Sequence, residues 1–349
     1  MERGAGIAQS GGRPEVTSGE MQNRSLSDTS TDEYLDRLWR PSPNGRFVRW
    51  LREEPGWADT KAAVDAWVRR YLPRCPDNLD KFIDDLRANW PGSSWQMYLW
   101  LLLQAHGYGL EDASGRGPDI ALLESGRKLW VECIAPGPGS GELTAQPLPT
   151  ERVIAGDPNG EKVILRITGA LAAKAQQTKE HIDAGLISAD ECIVIAVSLA
   201  SVSTSGTSRL ESYCLRALYG VGQPIFRVPI GDPVEPIRVE QRFQSEIAKP
   251  SGAQVPLIPF VSDQYPWISG LLMNPFDVTS DPELGGGGLW YFPNLSAQNK
   301  LPEGFFRFGT EVRCGADGSL YSVNHRKPPE ARGFGHAIIE ILKELGCGG

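Results

Sequence analysis

Two acidic residues, Asp119 and Glu132, lie in neighbouring strand-like stretches of the chain. Glu132 interrupts the apolar run KLWVECIAP, where a charge is costly unless a partner compensates it. If PDIALL and LWVECI form an antiparallel hairpin around ESGRK, both acids lie equally far from the turn, side by side and about 5 Å apart. Two carboxylates that close repel each other unless a cation lies between them. The spacing therefore predicts a site for a hard divalent ion, Mg²⁺ or Mn²⁺.

Simpler interpretations of both acids stay open at this point. Asp119 follows Pro118, where an Asp is common at the start of a strand or in a turn. Glu132 alternates in facing with Val131 and Cys133, so on an edge strand it would simply face solvent. In that case the chain is an α+β protein unrelated to any metal chemistry, and the two acids point away from each other.

The elements that must position these acids follow from the periodicity. Helical signals run from Asp32 to about Gly107, and the last helix, SSWQMYLWLLLQAHG, starts with Ser93 or Ser94 as N-cap and is apolar nearly all round. Three strand-like segments come next, then a helix stopped at Gly185 and an apolar, β-branched run typical of a strand buried on both faces. The order helix, three-strand meander, helix, strand indicates an α+β fold.

A proline–aspartate pair on one strand, followed about a dozen residues later by an acid within an apolar strand, resembles the PD-(D/E)xK nuclease superfamily. Pro118 and Asp119 match its first half-motif and Glu132 its second acid. The resemblance covers roughly residues 93 to 199 and implies a restriction endonuclease-like core. It also implies metal-dependent hydrolysis of phosphodiester bonds, with DNA the expected substrate and with Asp119, Glu132 and the Cys133 backbone carbonyl holding Mg²⁺ or Mn²⁺.

Two positions depart from the family pattern. Ile134 stands where the motif has its lysine, and Gln96 stands in the first helix where many relatives place a metal-binding glutamate. In some relatives the following helix supplies the missing residue, and here that helix offers Lys174 and Lys179. Helical periodicity places them on opposite edges of the inward stripe Leu171, Ala175, Thr178 and Ile182 and does not choose between them. We favour Lys174, which is nearer the helix start, as the third catalytic residue, with Arg166 as a phosphate contact.

Composition limits the classes of function. The net charge of −8 and the pI of about 5.2 argue against binding nucleic acid through bulk positive charge, so any such contact is expected to be local or metal-assisted. The six cysteines are scattered without a C-x-x-C pair, which predicts reduced thiols in a cytoplasmic protein. We expect no secretion signal, no membrane span and no membrane partner. A thiol–imidazole pair of Cys133 with His106 or His181 is a weaker alternative.

The chain divides into four predicted regions. We expect a disordered tail over residues 1–30, a helical region over 31–92, the nuclease-like core over 93–220, and a β-rich extension over 221–349 that ends in a helix. The strand-like pieces of the last region either extend the core sheet or form a separate appendage. The alternative to an active nuclease is a nuclease-fold protein without catalysis that serves as a binding or assembly module, and a homodimer is left open.

Overall fold

A mixed nine-stranded β-sheet with helices on both faces organises the chain, which is therefore α+β as predicted. The computed structural model describes residues 28–41, 46–75, 79–111, 117–124, 126–139, 160–202, 210–227, 238–325 and 332–333. The predicted tail lies outside these residues up to Ser27, and its last three residues belong to a helix that begins at Asp28.

The described strands fall into one large sheet and two small ones. Their bounds are β1 Gly109–Glu111, β2 Ile120–Glu124, β3 Arg127–Ile134, β4 Cys192–Ser198, β5 Val221–Arg227, β6 Arg238–Phe243, β7 Glu246–Ala248, β8 Gln254–Pro256, β9 Gly270–Asn274, β10 Trp290–Pro293, β11 Thr310–Cys314, β12 Leu320–Asn324 and β13 Arg332–Gly333. The large sheet has the order β1-β2-β3-β4-β9-β10-β11-β12-β13, whereas β5 pairs with β6 and β7 with β8.

Seven α-helices are described, five of them before the first strand. Their bounds are α1 Asp28–Trp39, α2 Arg46–Glu53, α3 Ala58–Tyr71, α4 Leu79–Ala88, α5 Trp90–Ala105, α6 Gly160–Asp183 and α7 Leu210–Tyr219. The first four pack around one another, and α3 and α4 pack against α5. Helix α5 in turn lies on the sheet and donates a hydrogen bond from Trp95 Nε1 to the Ala196 carbonyl of β4. None of the described helices is long and apolar enough to cross a lipid bilayer.

Helix α5 starts earlier than its sequence suggests. Its N-cap is Asn89 rather than Ser93 or Ser94, because a proline stands in the first turn, where the missing N–H costs nothing. Ser94 is instead buried within the helix. The end of α5 is as predicted, since Gly107 adopts a φ of 77° just after the last turn.

The predicted order of helix, meander, helix and strand is present as α5, β1–β3, α6 and β4. Strands β2 and β3 form an antiparallel hairpin whose turn contains Gly126 with a φ of 76°. Helix α6 then crosses over so that β4 runs parallel to β3. All seven residues of β4 are buried, as expected for an apolar strand covered on both faces.

The strands from β9 onward continue the large sheet, whereas β5–β8 form the two small sheets. Strand β9 pairs in parallel with β4, and β10, β11 and β12 follow in sequence order. The helix predicted near the end of the chain, residues 335–345, lies outside the described residues. The hairpin β2–β3 therefore sits near one edge of a continuous sheet, with α5 and α6 on its two faces.

Candidate functional site

Asp119 and Glu132 lie side by side at one end of the hairpin. The pairing of Ile120 with Val131 is the last in the β2–β3 register, and Asp119 and Glu132 are the next residues outward. The backbone N–H of Cys133 donates a hydrogen bond of 2.7 Å to Asp119 Oδ2, which ties the aspartate to the neighbouring strand. The geometry follows from the equal distance of the two acids from the turn.

Glu132 is buried in the interior of the sheet. Strand β3 has β2 on one side and β4 on the other, so it is not an edge strand, and the Glu132 side chain is only 1% exposed. Side chains along β3 alternate between the two faces of the sheet. Leu129 and Val131 pack in the hydrophobic cluster on the α5 side, so Glu132 points to the face that α6 covers. The solvent-facing interpretation of Glu132 is therefore wrong, and the acid needs a partner within the protein.

Lys174 of α6 supplies that partner. Its Nζ donates a hydrogen bond of 2.7 Å to Glu132 Oε2 and lies 3.7 Å from Asp119 Oδ2. Lys179, the other candidate, is 40% exposed and pairs with Asp183 one turn further along the same helix. The structure thus brings Lys174 to both carboxylates and leaves Lys179 on the outer surface of α6.

The electrostatics of the three groups follow from burial and mutual charge. Burial, followed by the charge of Asp119, raises the pKa of Glu132 from 4.5 to about 7 against the lowering effect of Lys174. For Lys174, burial lowers the pKa, but the two carboxylates outweigh it and the net change is upward. Lys174 therefore stays charged at neutral pH, while Glu132 holds its proton more tightly than an ordinary glutamate does.

Cys133 contributes its backbone rather than its thiol. Burial, then the charge of Asp119, raises the pKa of the thiol well above its ordinary value, which disfavours the thiolate that a nucleophile needs. The N–H and C=O of one residue in an extended strand point to the same side. Because the Cys133 N–H is directed at Asp119, its carbonyl oxygen faces the same side of β3, beyond the start of β2.

Gln96 and Arg166 are not joined to the acid pair by any hydrogen bond or ion pair described among these residues. Helix α5, which carries Gln96, covers the face of the sheet opposite to α6, and the neighbouring Trp95 lies over β4 with its Nε1 bonded to the Ala196 carbonyl. Arg166 is eight residues before Lys174, about 12 Å along the helix axis. Its guanidinium packs against Gly139 so closely that a Cβ there would lie 2.0 Å from it, and Gly139 also has a φ of 95°.

A fourth side chain, His181, also reaches the site, although the sequence suggested it only as an alternative partner for the Cys133 thiol. His181 Nδ1 lies 3.4 Å from Glu132 Oε1, and both atoms are buried without a hydrogen-bond partner among the described residues. His181 follows Lys174 by seven residues, or two helical turns, so both lie on the same face of α6. This seven-residue spacing could have identified His181 from the sequence, but only after Lys174 had been chosen over Lys179.

The site is assembled pairwise around Glu132. Within the described residues, no three His, Cys, Asp or Glu side chains are gathered closely enough to hold a metal ion. Lys174 contacts Glu132 through its Oε2 oxygen and also lies near Asp119, whereas His181 approaches Glu132 through Oε1. In comparisons with known proteins, no family model, no curated protein and no solved structure matches this chain.

Proposed function

We propose that this protein is a metal-dependent nuclease with a restriction endonuclease-like core, acting on phosphodiester bonds with DNA as the expected substrate. The observation that carries the proposal is the convergence of Asp119, Glu132 and Lys174 at the end of one hairpin under a crossover helix. Burying a carboxylate destabilises the folded state unless a partner compensates its charge. Buried acids of this kind are found chiefly where a protein binds a charged ligand or performs a reaction.

The residues present fit a divalent cation. The donors are hard carboxylate oxygens and the Cys133 carbonyl, the set that Mg²⁺ and Mn²⁺ prefer. The Lys174 ammonium already lies between Asp119 Oδ2 and Glu132 Oε2, so oxygens from both acids face a common position for a positive group. When bound, the ion supplies an activated water and offsets negative charge on the phosphate.

The protein's own side chains have separable roles in this proposal. Asp119 is 28% exposed, so the open side of the site, through which a phosphate backbone can approach, lies at its carboxylate. Lys174 stays charged and either orients the attacking water or neutralises the transition state. Arg166, about two turns before Lys174 on α6, is proposed as a contact to a neighbouring phosphate.

The same contacts also favour a second candidate, a nuclease-fold protein that binds or assembles without catalysis. Lys174 already neutralises the Glu132 carboxylate through a direct hydrogen bond. A buried acid with a local lysine can be a purely structural ion pair, and Ile134 and Gln96 stand where active relatives carry functional residues. In this alternative the site binds no divalent ion.

Cleavage assays separate the two candidates. Purified protein is incubated with supercoiled plasmid, linear duplex, single-stranded DNA and RNA, in Mg²⁺, in Mn²⁺ and in EDTA, beside D119N, E132Q and K174M. The matched controls are K179M, the other lysine of α6, and E111Q, which removes a half-exposed glutamate of β1 that pairs with Lys128.

The nuclease proposal predicts metal-dependent cleavage that falls at least about 100-fold in each of the three site variants and stays near wild type in both controls. Absence of cleavage of all four substrates in either metal, together with absence of Mn²⁺ binding by calorimetry, would establish the non-catalytic candidate instead.

A further inference from the structure

The two oxygens of the Glu132 carboxylate differ in their surroundings. Oε2 accepts the hydrogen bond from Lys174, whereas Oε1 has no hydrogen-bond partner among the described residues. The nearest nitrogen to Oε1 in an ion-pair contact is Nδ1 of His181 at 3.4 Å, which is itself buried and without a partner in the same set. Two unpartnered polar atoms therefore face each other inside the protein.

This arrangement is costly unless the two atoms are bonded to each other. A buried polar atom without a partner destabilises the folded state, because it loses its hydrogen bonds to water. An N–H···O hydrogen bond spans about 2.7–3.2 Å, so a shift of a few tenths of an ångström closes the gap between Nδ1 and Oε1. The terminal torsion of a glutamate is broad, and such a shift needs no change of rotamer.

A hydrogen bond on Oε1 has a particular consequence for this site. The Lys174 ammonium must serve both as the partner of Glu132 and, in the proposed reaction, as the group that meets water or phosphate. When Lys174 changes partners, a second donor on the other oxygen keeps the carboxylate from rotating. His181 is suited to this because Ala175 and Thr178, between it and Lys174 on the same helix, are fully buried and fix α6 against the sheet.

We propose that His181 is a positioning residue: its Nδ1–H donates to Glu132 Oε1 and holds Oε2 toward Asp119 and Lys174. The inference rests on the proposed function, since what is positioned is the carboxylate that would bind the ion. Groups that orient a metal-binding side chain typically change metal affinity or activity by 10–100-fold when they are removed. His181 acts through Glu132 and does not itself touch substrate.

Three substitutions at one position test the inference. H181L removes the donor, H181N places an amide N–H near the position of Nδ1, and H181Q places one further out, near Nε2. The readouts are Mn²⁺ affinity by calorimetry at pH 8, kcat and KM for plasmid cleavage, and thermal unfolding. H106L is the matched control, because His106 packs against Phe308 on the α5 side of the sheet.

We expect H181L to lose about 10–100-fold in Mn²⁺ affinity and in kcat with an unchanged KM for DNA. H181N should recover most of both, H181Q should not, and H106L should match wild type. Equal values for H181L, H181N and wild type would overturn the inference and leave the proposed function intact. A wild-type protein that neither binds Mn²⁺ nor cleaves would overturn both.

Discussion

The large sheet buries two glutamates, Glu132 on β3 and Glu311 on β11, and these are the only charged residues buried in the part of the chain that the structure describes. Each has a basic partner and a histidine nitrogen 3.4 Å away, Lys174 and His181 for the first, Arg313 and His325 for the second. The two regions thus use the same residue types at similar depth. Their hydrogen bonding differs.

Glu311 is held by a complete set of donors. Its Oε2 accepts from both Nε and Nη2 of Arg313, at 2.9 and 2.8 Å, and the Gly304 N–H donates to both oxygens. Glu132 accepts one hydrogen bond, from Lys174, and has a second carboxylate, Asp119, beside it. A buried acid whose bonds are complete is part of the structure, whereas one left incomplete next to another acid is suited to binding a cation.

The largest expected effect separates the two glutamates by Mn²⁺ binding. E132Q should weaken Mn²⁺ binding at least about 100-fold, since it removes a proposed ligand and its charge. E311Q should change it by less than about twofold, because four strand spacings of about 4.8 Å place Glu311 roughly 20 Å away. Calorimetric titration of both variants and wild type at pH 8 measures this. Equal weakening by the two substitutions would remove the distinction.

Lys174 sharpens the comparison by separating binding from reaction. K174M should reduce cleavage about 100-fold, because the charged donor is lost. It should leave Mn²⁺ affinity at pH 8 equal or greater, since the ammonium competes with the ion for Asp119 and Glu132. Calorimetry and plasmid cleavage are compared with those of K179M. Loss of Mn²⁺ binding in K174M would show that the lysine builds the ion site rather than acting beside it.

Stability should rank the glutamates in the opposite order. E311Q should lower the free energy of unfolding by about 2 kcal/mol, because Arg313 keeps Glu303 as a partner but the buried acceptor of its Nε and Nη2 bonds and of the Gly304 N–H loses its charge. E132Q should lower it by less than about 1 kcal/mol at pH 8 without metal, since Lys174 keeps Asp119 as a partner. Denaturant unfolding of the two variants measures the difference. A larger loss in E132Q would make Glu132 the structural acid of the two.

The raised pKa of Glu132 predicts the pH dependence of the ion site. The protonated acid cannot bind a cation, so Mn²⁺ affinity should fall about tenfold per pH unit below about 7 and be constant above it. The folded state binds the Glu132 proton more tightly than the unfolded state does. Deprotonation between pH 4.5 and about 7 therefore destabilises the metal-free protein as pH rises. The unfolding free energy of wild type relative to E132Q should therefore decline across that window. Affinity constant down to pH 5 would contradict the shift.

Gln96 carries the smallest expected effect. The resemblance implied a metal contact from this position, but α5 covers the face of the sheet opposite to Glu132. Q96A should therefore change Mn²⁺ affinity by less than about twofold. A larger change in the calorimetric titration would place α5 within the site.

Local patterns predicted much of this arrangement. Alternation and turn residues gave the hairpin, and the equal spacing of Asp119 and Glu132 from its turn placed the acids together. The buried run of β4 and the helical signals around it gave the order of elements. These features depend on residues near one another in the chain, for which period and turn chemistry are sufficient.

The remainder depended on long-range packing. Lys174 and Lys179 lie on opposite edges of the apolar stripe of α6. Only the way in which α6 packs on the sheet determines which lysine contacts Glu132. The parallel pairing of β9 with β4 joins segments about 75 residues apart, which no local pattern specifies. The motif letters alone also mislead, because Glu311-Val312-Arg313 has an acid and a basic residue at the motif spacing, yet the second acid that Arg313 pairs with, Glu303, is exposed and lies outside the strands.

The most direct test of the central claim is anomalous diffraction from crystals soaked in Mn²⁺. We predict one Mn²⁺ peak within about 2.2 Å of oxygens from both Asp119 and Glu132, with the Lys174 ammonium displaced from Glu132 Oε2. An empty site with the Lys174–Glu132 hydrogen bond intact at saturating Mn²⁺ would contradict the claim and make this acid pair, like Glu311, a structural one.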